Sequence, residues 1–357
     1  MNQKFRSMKN LAGMAAVLGA GILAVSCGGA GNATGFDNPI AVQADSIAVN
    51  QIIKPSQWAM CNGKAVVVSE STDSVFYVYS LPDFGFLYAW GRRGGGPGEF
   101  SNYVRFVDGA DGDTGSLTLE NYRGKTFDAF EAGAREMALK KTSSTFPDQT
   151  TFLESRPLPS GWLATKRVSG GKEYLYTRSP KDGSVRDSVL LYTLVKAEYD
   201  DKGNMRSLSR MNSPRVVARN DRVAVVYQNV VRADFYRVSA EGKLELLKAV
   251  GEPLDEAVLE RLRTMRSQSR QNGIMGYFST GKYLYTLYLD LELDWETKYA
   301  NILEKIVYVY DWDGRQVRAF DLEKPATDIL VSGDDRLLYA RNLQEDFDKV
   351  YVYNLEQ

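Results

Sequence analysis

Histidine is absent from all 357 positions of this chain, which shortens the set of residues able to do chemistry. Serine–histidine–aspartate and cysteine–histidine catalysis, histidine proton shuttles and the usual zinc sites are excluded. Any reaction would run on carboxylates, tyrosine, lysine, arginine or a metal held by oxygen. Three stretches crowd such groups together. Arg92 and Arg93 precede a glycine-rich run, Gly94–Gly98, closed by Glu99. The run lacks the Gly-Lys-Ser/Thr ending of a phosphate-cradling loop, and a strand rather than a helix is expected after it. Arg92, Arg93 and Glu99 are the candidate binding residues, with solvated arginines as the plainer alternative. Asp108, Asp111 and Asp113 alternate with Gly109 and Gly112 and offer oxygen ligands that calcium accepts. The distal bidentate glutamate of an EF-hand loop is missing, and an acidic turn is the better reading. Asp290, Glu292, Asp294 and Glu296 read as a solvated acidic loop. No catalytic residue, metal or cofactor is assigned.

The elements that would position these groups are strands. Short runs such as Lys64–Ser69, Val75–Ser80, Val223–Gln228, Tyr283–Leu289, Leu337–Arg341 and Val350–Asn354 are separated by frequent turn signals. Several alternate apolar and polar residues, as strands with one buried face do. The 21 tyrosines favour strands and also suit contact surfaces for carbohydrate or peptide.

The turns recur in order. One set ends at residues 63, 161, 221, 281 and 335, with Gly112 in the first, double-length gap. A second set comprises Asp182-Gly183, Glu241-Gly242 and Asp313-Gly314. Such pairs favour tight hairpins. A unit of roughly 50–60 residues carrying four strands is a propeller blade. Six units fit the chain, giving an all-β fold, a six-bladed β-propeller. The last unit has only three strands, and Ser46–Ile52 is expected to complete it and close the ring. One helix is expected over 253–270, between blades four and five, from the apolar spacing of Leu254, Val258, Leu262 and Met265. It reads as a helix packed on the disc, or as a lid or docking element over one channel mouth.

The first forty residues have a different character. Lys4, Arg6 and Lys9 precede an uncharged run, Leu11 to Val25, too short for a comfortable membrane span. Small residues then lead into Cys27, the pattern of a cleaved signal peptide over 1–26. Ala24, Ser26 and Cys27 resemble the lipobox of bacterial lipoproteins, which implies acylation of Cys27 and a lipid anchor. Residues 27–39 are uncharged apart from Asp37 and begin with a small, glycine-rich run suited to a flexible tether, leaving 40–357 as the propeller domain. No acidic cluster follows Cys27, so the expected location is the cell envelope, on the periplasmic face of the outer membrane.

Removal of 1–26 would leave 41 basic against 45 acidic residues, a balance of −4 that argues against nucleic acid as a partner. Cys61 would then be the lone thiol, with no internal disulfide partner. A buried core role is expected for it.

Trp90-Gly91-Arg92-Arg93-Gly94-Gly95-Gly96-Pro97-Gly98-Glu99-Phe100 resembles the blade-joining motif of NHL-type repeats. Tyr308 to Phe320 is similar to the penultimate blade, and Asp328 to Tyr353 to the last blade, of the TolB-like six-bladed propeller lipoproteins. This resemblance implies a ligand or protein surface on one face of the disc and carries no catalytic residues. The expected function is a membrane-anchored binding or scaffold module, its partner an envelope protein or a carbohydrate. The alternative is a carbohydrate-active or metal-dependent hydrolase or lyase on the same scaffold.

Overall fold

The computed structural model describes residues 38–356, apart from 52, 97, 101–103, 108–114, 122–125, 145–153, 170–171, 192–194, 200–204, 211–213, 265–268, 295 and 298. The chain divides into two units, 1–31 and 32–357, and the first lies wholly outside the described residues. No described helix is long and apolar enough to cross a membrane.

The second unit is a six-bladed β-propeller. Two short strands come first, β1 (Ile40–Val42) and β2 (Ala44–Ala48). Blade one is β3 (Pro55–Cys61), β4 (Lys64–Ser69), β5 (Ser74–Ser80) and β6 (Phe86–Arg92). Blade two is β7 (Arg105–Phe106), β8 (Ser116–Asn121), β9 (Thr126–Ala132) and β10 (Met137–Ser144). Blade three is β11 (Glu154–Pro157), β12 (Leu163–Ser169), β13 (Lys172–Arg178) and β14 (Val185–Leu191). A two-stranded hairpin follows, β15 (Val195–Tyr199) and β16 (Met205–Arg210). Blade four is β17 (Pro214–Arg219), β18 (Arg222–Tyr227), β19 (Arg232–Val238) and β20 (Leu244–Gly251), and helix α1 (Glu256–Thr264) follows it. Blade five is β21 (Arg270–Ser279), β22 (Tyr283–Asp294), β23 (Tyr299–Asp311) and β24 (Gln316–Leu322). Blade six takes β25 (Asp328–Val331), β26 (Leu337–Arg341) and β27 (Lys349–Asn354), with β2 paired antiparallel to β27 as its fourth strand.

Each blade is an antiparallel meander whose first strand is innermost. Three of the second strands are buried almost end to end: Ala65–Ser69 in β4, Val223–Tyr227 in β18 and Leu338–Arg341 in β26. They read as continuous apolar runs because neighbouring blades cover both of their faces, as in any sheet buried on two sides. The outermost strands are edges, and β14 and β20 face water with exposed or half-exposed residues along most of their length. Six apolar clusters fill the six spaces between adjacent blades, from Val66, Phe76 and Phe106 between blades one and two to Tyr79, Phe84 and Tyr339 between six and one. Cys61 is fully buried in one of them, and burial pushes its thiol pKa up.

The two turn sets of the sequence are the hairpins at one end of the blades. Asn62 and Gly63 both take positive φ (51° and 67°) in the tight turn joining β3 to β4, a geometry this pair adopts readily.

Ring closure differs in position from the expected Ser46–Ile52. The closing strand is Ala44–Ala48, and the strand before it, β1, pairs parallel with β24 as a fifth strand of blade five. Val42 is buried among side chains of both blades, so residues 40–48 staple five to six. Between the two short strands the Glu323 carboxylate accepts the Ala44 N–H at 3.0 Å, where the chain passes from one blade to the next.

Two other expectations change. The helix is shorter than 253–270: it ends at Thr264 and Arg270 already begins β21, while Met265 and Arg266 lie outside the described residues. The acidic stretch from Asp290 is not a solvated loop. Asp290 to Asp294 prolong β22, paired with β23 throughout and with β21 as far as Glu292; Asp290 is buried, while Glu292 and Asp294 are exposed. Asp-Leu-Glu-Leu-Asp alternates with period two, and tertiary pairing uses that alternation despite the charges. The hairpin β15–β16 was not anticipated.

Candidate functional site

All inner strands run in one direction, from one face of the disc to the other. At the face where they begin lies a cavity of about 430 Å³ at the mouth of the central channel. Blade one contributes Ser56, Gln57 and Trp58, blade two Arg105 and Phe106, and blade three Arg156. Blade four contributes Arg215 and Gln228, and blade five Met275, Tyr277 and Phe278. Thr327, Asp328, Ile329 and Leu343 come from blade six. The channel is lined by first strands because only they face the axis of a propeller.

Charge is unevenly placed around this ring. Arg105, Arg156 and Arg215 occupy three consecutive blades near the start of each inner strand. Arg156 is only 1% exposed, and its Nη1 donates to the Ser155 carbonyl at 3.0 Å. Arg105 lies 4.0 Å from the Glu120 carboxylate, opposite it on β8. Gln57 bridges blades one and two beside Arg105, donating to the Val104 carbonyl at 2.9 Å and accepting from the Phe106 N–H at 3.2 Å.

The one carboxylate lining the cavity among the described residues, Asp328, stands across the ring in blade six. Burial pushes its pKa up, while Arg341 and the Trp58 indole pull it back. Arg341 is buried and donates to Asp328 Oδ2 from both Nε and Nη2, at 3.0 and 2.6 Å. Its guanidinium carbon lies 5.0 Å from the Trp58 ring centroid, within cation–π range. No three described acidic, histidine or cysteine side chains converge to hold a metal.

The residues singled out in the sequence lie elsewhere. Arg92 and Glu99 do meet, at 3.6 Å, and Glu99 Oε2 accepts the Gly96 N–H at 2.8 Å. Phe100 donates to the Arg92 carbonyl and accepts from the Gly94 N–H, so the glycine-rich connection closes on itself. Arg93 turns back into blade one and donates to the Thr72 and Ser69 carbonyls. None of the three lines the cavity. The Asp108–Asp113 turn and Cys27 lie outside the described residues.

The arginines of the cavity belong to no local motif: each stands in a different short strand, about a blade apart along the chain. Val104-Arg105-Phe106, Ser155-Arg156-Pro157 and Pro214-Arg215-Val216 place an arginine early in the first strand of three successive units. Aligning the repeats on their first strands would have brought these positions together.

The extra elements gather at the same face. The connection carrying β15–β16 and the one carrying α1 both join an outer strand to the next inner strand, which happens only at the face where inner strands begin. The prolonged ends of β22 and β23 meet there too, and Gln344 of blade six pairs with Ala300 through both its amide groups, at 2.7 and 2.9 Å. Helix α1 is fixed by Arg261, which donates from Nη1 and Nη2 to the two oxygens of Glu252 at 2.7 Å each.

No family model matches the chain, and no curated relative matches its sequence. Similar solved structures are propellers. The Dos1 propeller superposes with a TM-score of 0.41 at 10% identity over 88% of this chain and 83% of that one. U3-55K gives 0.40 at 12% over 89% and 100%, and the WD40 repeats of RRP9 give 0.39 at 12% over 88% and 99%. The six-bladed fold is a β-propeller scaffold of a kind suited to binding.

Proposed function

We propose that this chain is a lipid-anchored β-propeller of the cell envelope, of the TolB-like kind, tethered through Cys27 and binding its ligand or partner at the face that bears the channel cavity. The anchor reading rests on Lys4 to Cys27: a basic start, an uncharged run and small residues before a cysteine. The periplasmic face of the outer membrane is the location that this pattern favours.

The observation that carries the binding reading is the concentration of additions on one face. The hairpin β15–β16, helix α1 and the long β22–β23 extension all belong to connections at the cavity's end of the blades. The opposite end carries tight turns such as Asn62-Gly63 and Asp313-Gly314. Loops set on a rigid scaffold around a concave mouth are where binding groups concentrate.

The test is done on the full-length protein in membranes. Labelled palmitate should enter the wild type and not Cys27→Ser, and only the wild type should sediment with the outer membrane. Cross-linking in those membranes, read by mass spectrometry, should place partner cross-links on the lysines and carboxylates around the channel mouth. Cross-links confined to the outer strands or to the tight-turn face would overturn the assignment of the binding face, and equal palmitate labelling of both proteins would overturn the anchor.

A further inference from the structure

We infer that the chain just before β1 continues along the edge of β24 and seats Phe36 in a second cavity, between blades five and six, so that residues 36–48 form one strap across that seam. The inference is independent of the channel cavity and of the lipid anchor. Residues 32–37 lie outside the described residues, and their place is argued from the surface beside Ile40.

The first ground is an open edge. β1 covers only the end of β24, pairing Ile40 with Phe320, Ala41 with Asp321 and Val42 with Leu322. The start of β24, Gln316 to Ala319, is bonded to β23 on one side and to no described strand on the other. Because β1 runs parallel to β24, the residues before Ile40 approach from that side. Kept in register, 36–39 stand opposite 316–319 and lengthen an interface that already exists. Pro39 is no obstacle, since an edge strand tolerates proline.

The second ground is a cavity of about 370 Å³ on the blade-six side of the same edge. Arg318 and Phe320 of β24 line it, with Tyr283, Tyr285 and Val309 from within blade five and Leu355 from the end of blade six. Tyr285, Val309, Phe320 and Leu355 belong to one buried cluster and give the cavity an apolar and aromatic floor. Most charged groups at its rim are answered locally. Arg336 meets Glu356 at 2.9 Å, Arg318 donates to the Leu355 carbonyl at 3.1 Å, and Asp335 accepts from the Tyr285 and Thr280 hydroxyls at 2.9 and 2.6 Å. Such a cavity suits an apolar side chain rather than an ion.

The third ground is parity. Alternate residues of a strand share a face, so 36 and 38 fall on the face of Ile40 and Val42. Val42 is buried in the cluster that joins blades five and six, together with Phe320 and Leu355. Phe36 therefore turns to the cavity, level with the start of β24. Between Cys27 and Ile40 it is the one aromatic or large aliphatic side chain, in a run otherwise of Gly, Ala, Asn, Thr, Asp and Pro. A linker has no use for it, whereas a seated ring removes roughly 150–250 Å² from water. The strap also covers Val317, an apolar residue of the cavity wall that is 40% exposed. The free linker after Cys27 is then Gly28–Gly35.

The experiment is hydrogen exchange of the full-length protein, read by mass spectrometry on the wild type, Phe36→Ser and Phe36→Leu. In the wild type, the peptide over 35–38 should contain amides that exchange at least about tenfold more slowly than in a free peptide of the same sequence. Phe36→Ser should lose that protection while β21 to β23 keep theirs. Phe36→Leu, still apolar, should retain most of it.

Exchange of 35–38 at the free-peptide rate in the wild type overturns the inference, whatever the variants do. Protection unchanged in Phe36→Ser overturns it too, since the ring would then hold nothing. Protection that appears only as protein concentration rises assigns the cavity to a second copy of the chain and likewise overturns it.

Discussion

Arg341 directs Nε and Nη2 at a single oxygen of Asp328, and the two residues face each other in register across β25 and β26. The pair lies where blade six meets blade one, with Trp58 stacked near the guanidinium. It fixes the start of the innermost strand at the channel mouth. Arg341→Met removes the cation and leaves the half-buried carboxylate unanswered, which should cost about 2–4 kcal/mol. Arg341→Met combined with Asp328→Asn should cost less than the sum of the two single changes, because no charge is then stranded. Urea unfolding of the four proteins of the cycle measures both.

Glu252 gives the fold a pH dependence. Burial pushes its pKa up, but the bonds from Arg261 and the Val231 N–H more than offset this and hold it below the usual carboxylate value. A carboxylate with a lowered folded pKa stabilises the protein above its unfolded value of about 4.3, and the contribution disappears as pH falls through the folded value. Glu252→Gln should therefore cost about 1–3 kcal/mol at neutral pH and progressively less in acid. Melting curves of the two proteins should converge on acidification. A constant gap would show that the carboxylate is not the group responsible.

Residues 40–48 close the ring without a covalent bond. Removing them exposes the free edge of β27 and the pocket left by Val42. Deletion of residues 38–48 should lower the cooperative unfolding temperature of the whole domain rather than fray one blade, since each blade is held by both neighbours. Val42→Ala, a milder change, should cost roughly 2 kcal/mol for the lost methyl groups and the space they leave. Calorimetry reads both, and an unchanged transition for the deletion would remove the closing role.

Gly273 shows how closely blades four and five meet. Its φ is 146°, and a Cβ there would stand 2.4 Å from the Asn229 backbone carbon, at the turn after β18. The Asn229 N–H donates to the Ile274 carbonyl at 3.3 Å, so backbone groups bond directly across the boundary between the two blades. Gly273→Ala should cost about 1–3 kcal/mol from backbone conformation, with further loss from the forced separation. Hydrogen exchange should report it first at the Asn229 and Ile274 amides.

Much of the architecture was legible in the sequence for a local reason. Tight turns such as Asn62-Gly63 and Asp313-Gly314 demand residues that accept positive φ, and the second strands β4 and β18 are largely apolar because both faces are covered. These signals repeat once per blade, so they report number and order. The three-stranded last unit similarly implied a strand supplied from the start of the chain. Asp290 carries no local sign of burial, since an acidic residue in a sequence marks solvent unless a partner answers it, and its partner Arg270 stands on the adjacent strand twenty residues away.

The sequence by itself determined the fold class, the blade count and the need for closure, because hairpin chemistry and two-sided burial are written within a few residues of where they act. Only the tertiary structure decided which residues share a site. Arg105, Arg156 and Arg215 are separated by about one blade each along the chain, and Asp328 lies beyond two more. They meet because closing the ring turns every first strand toward one axis, an arrangement in which proximity is set by register within the blade rather than by distance along the chain.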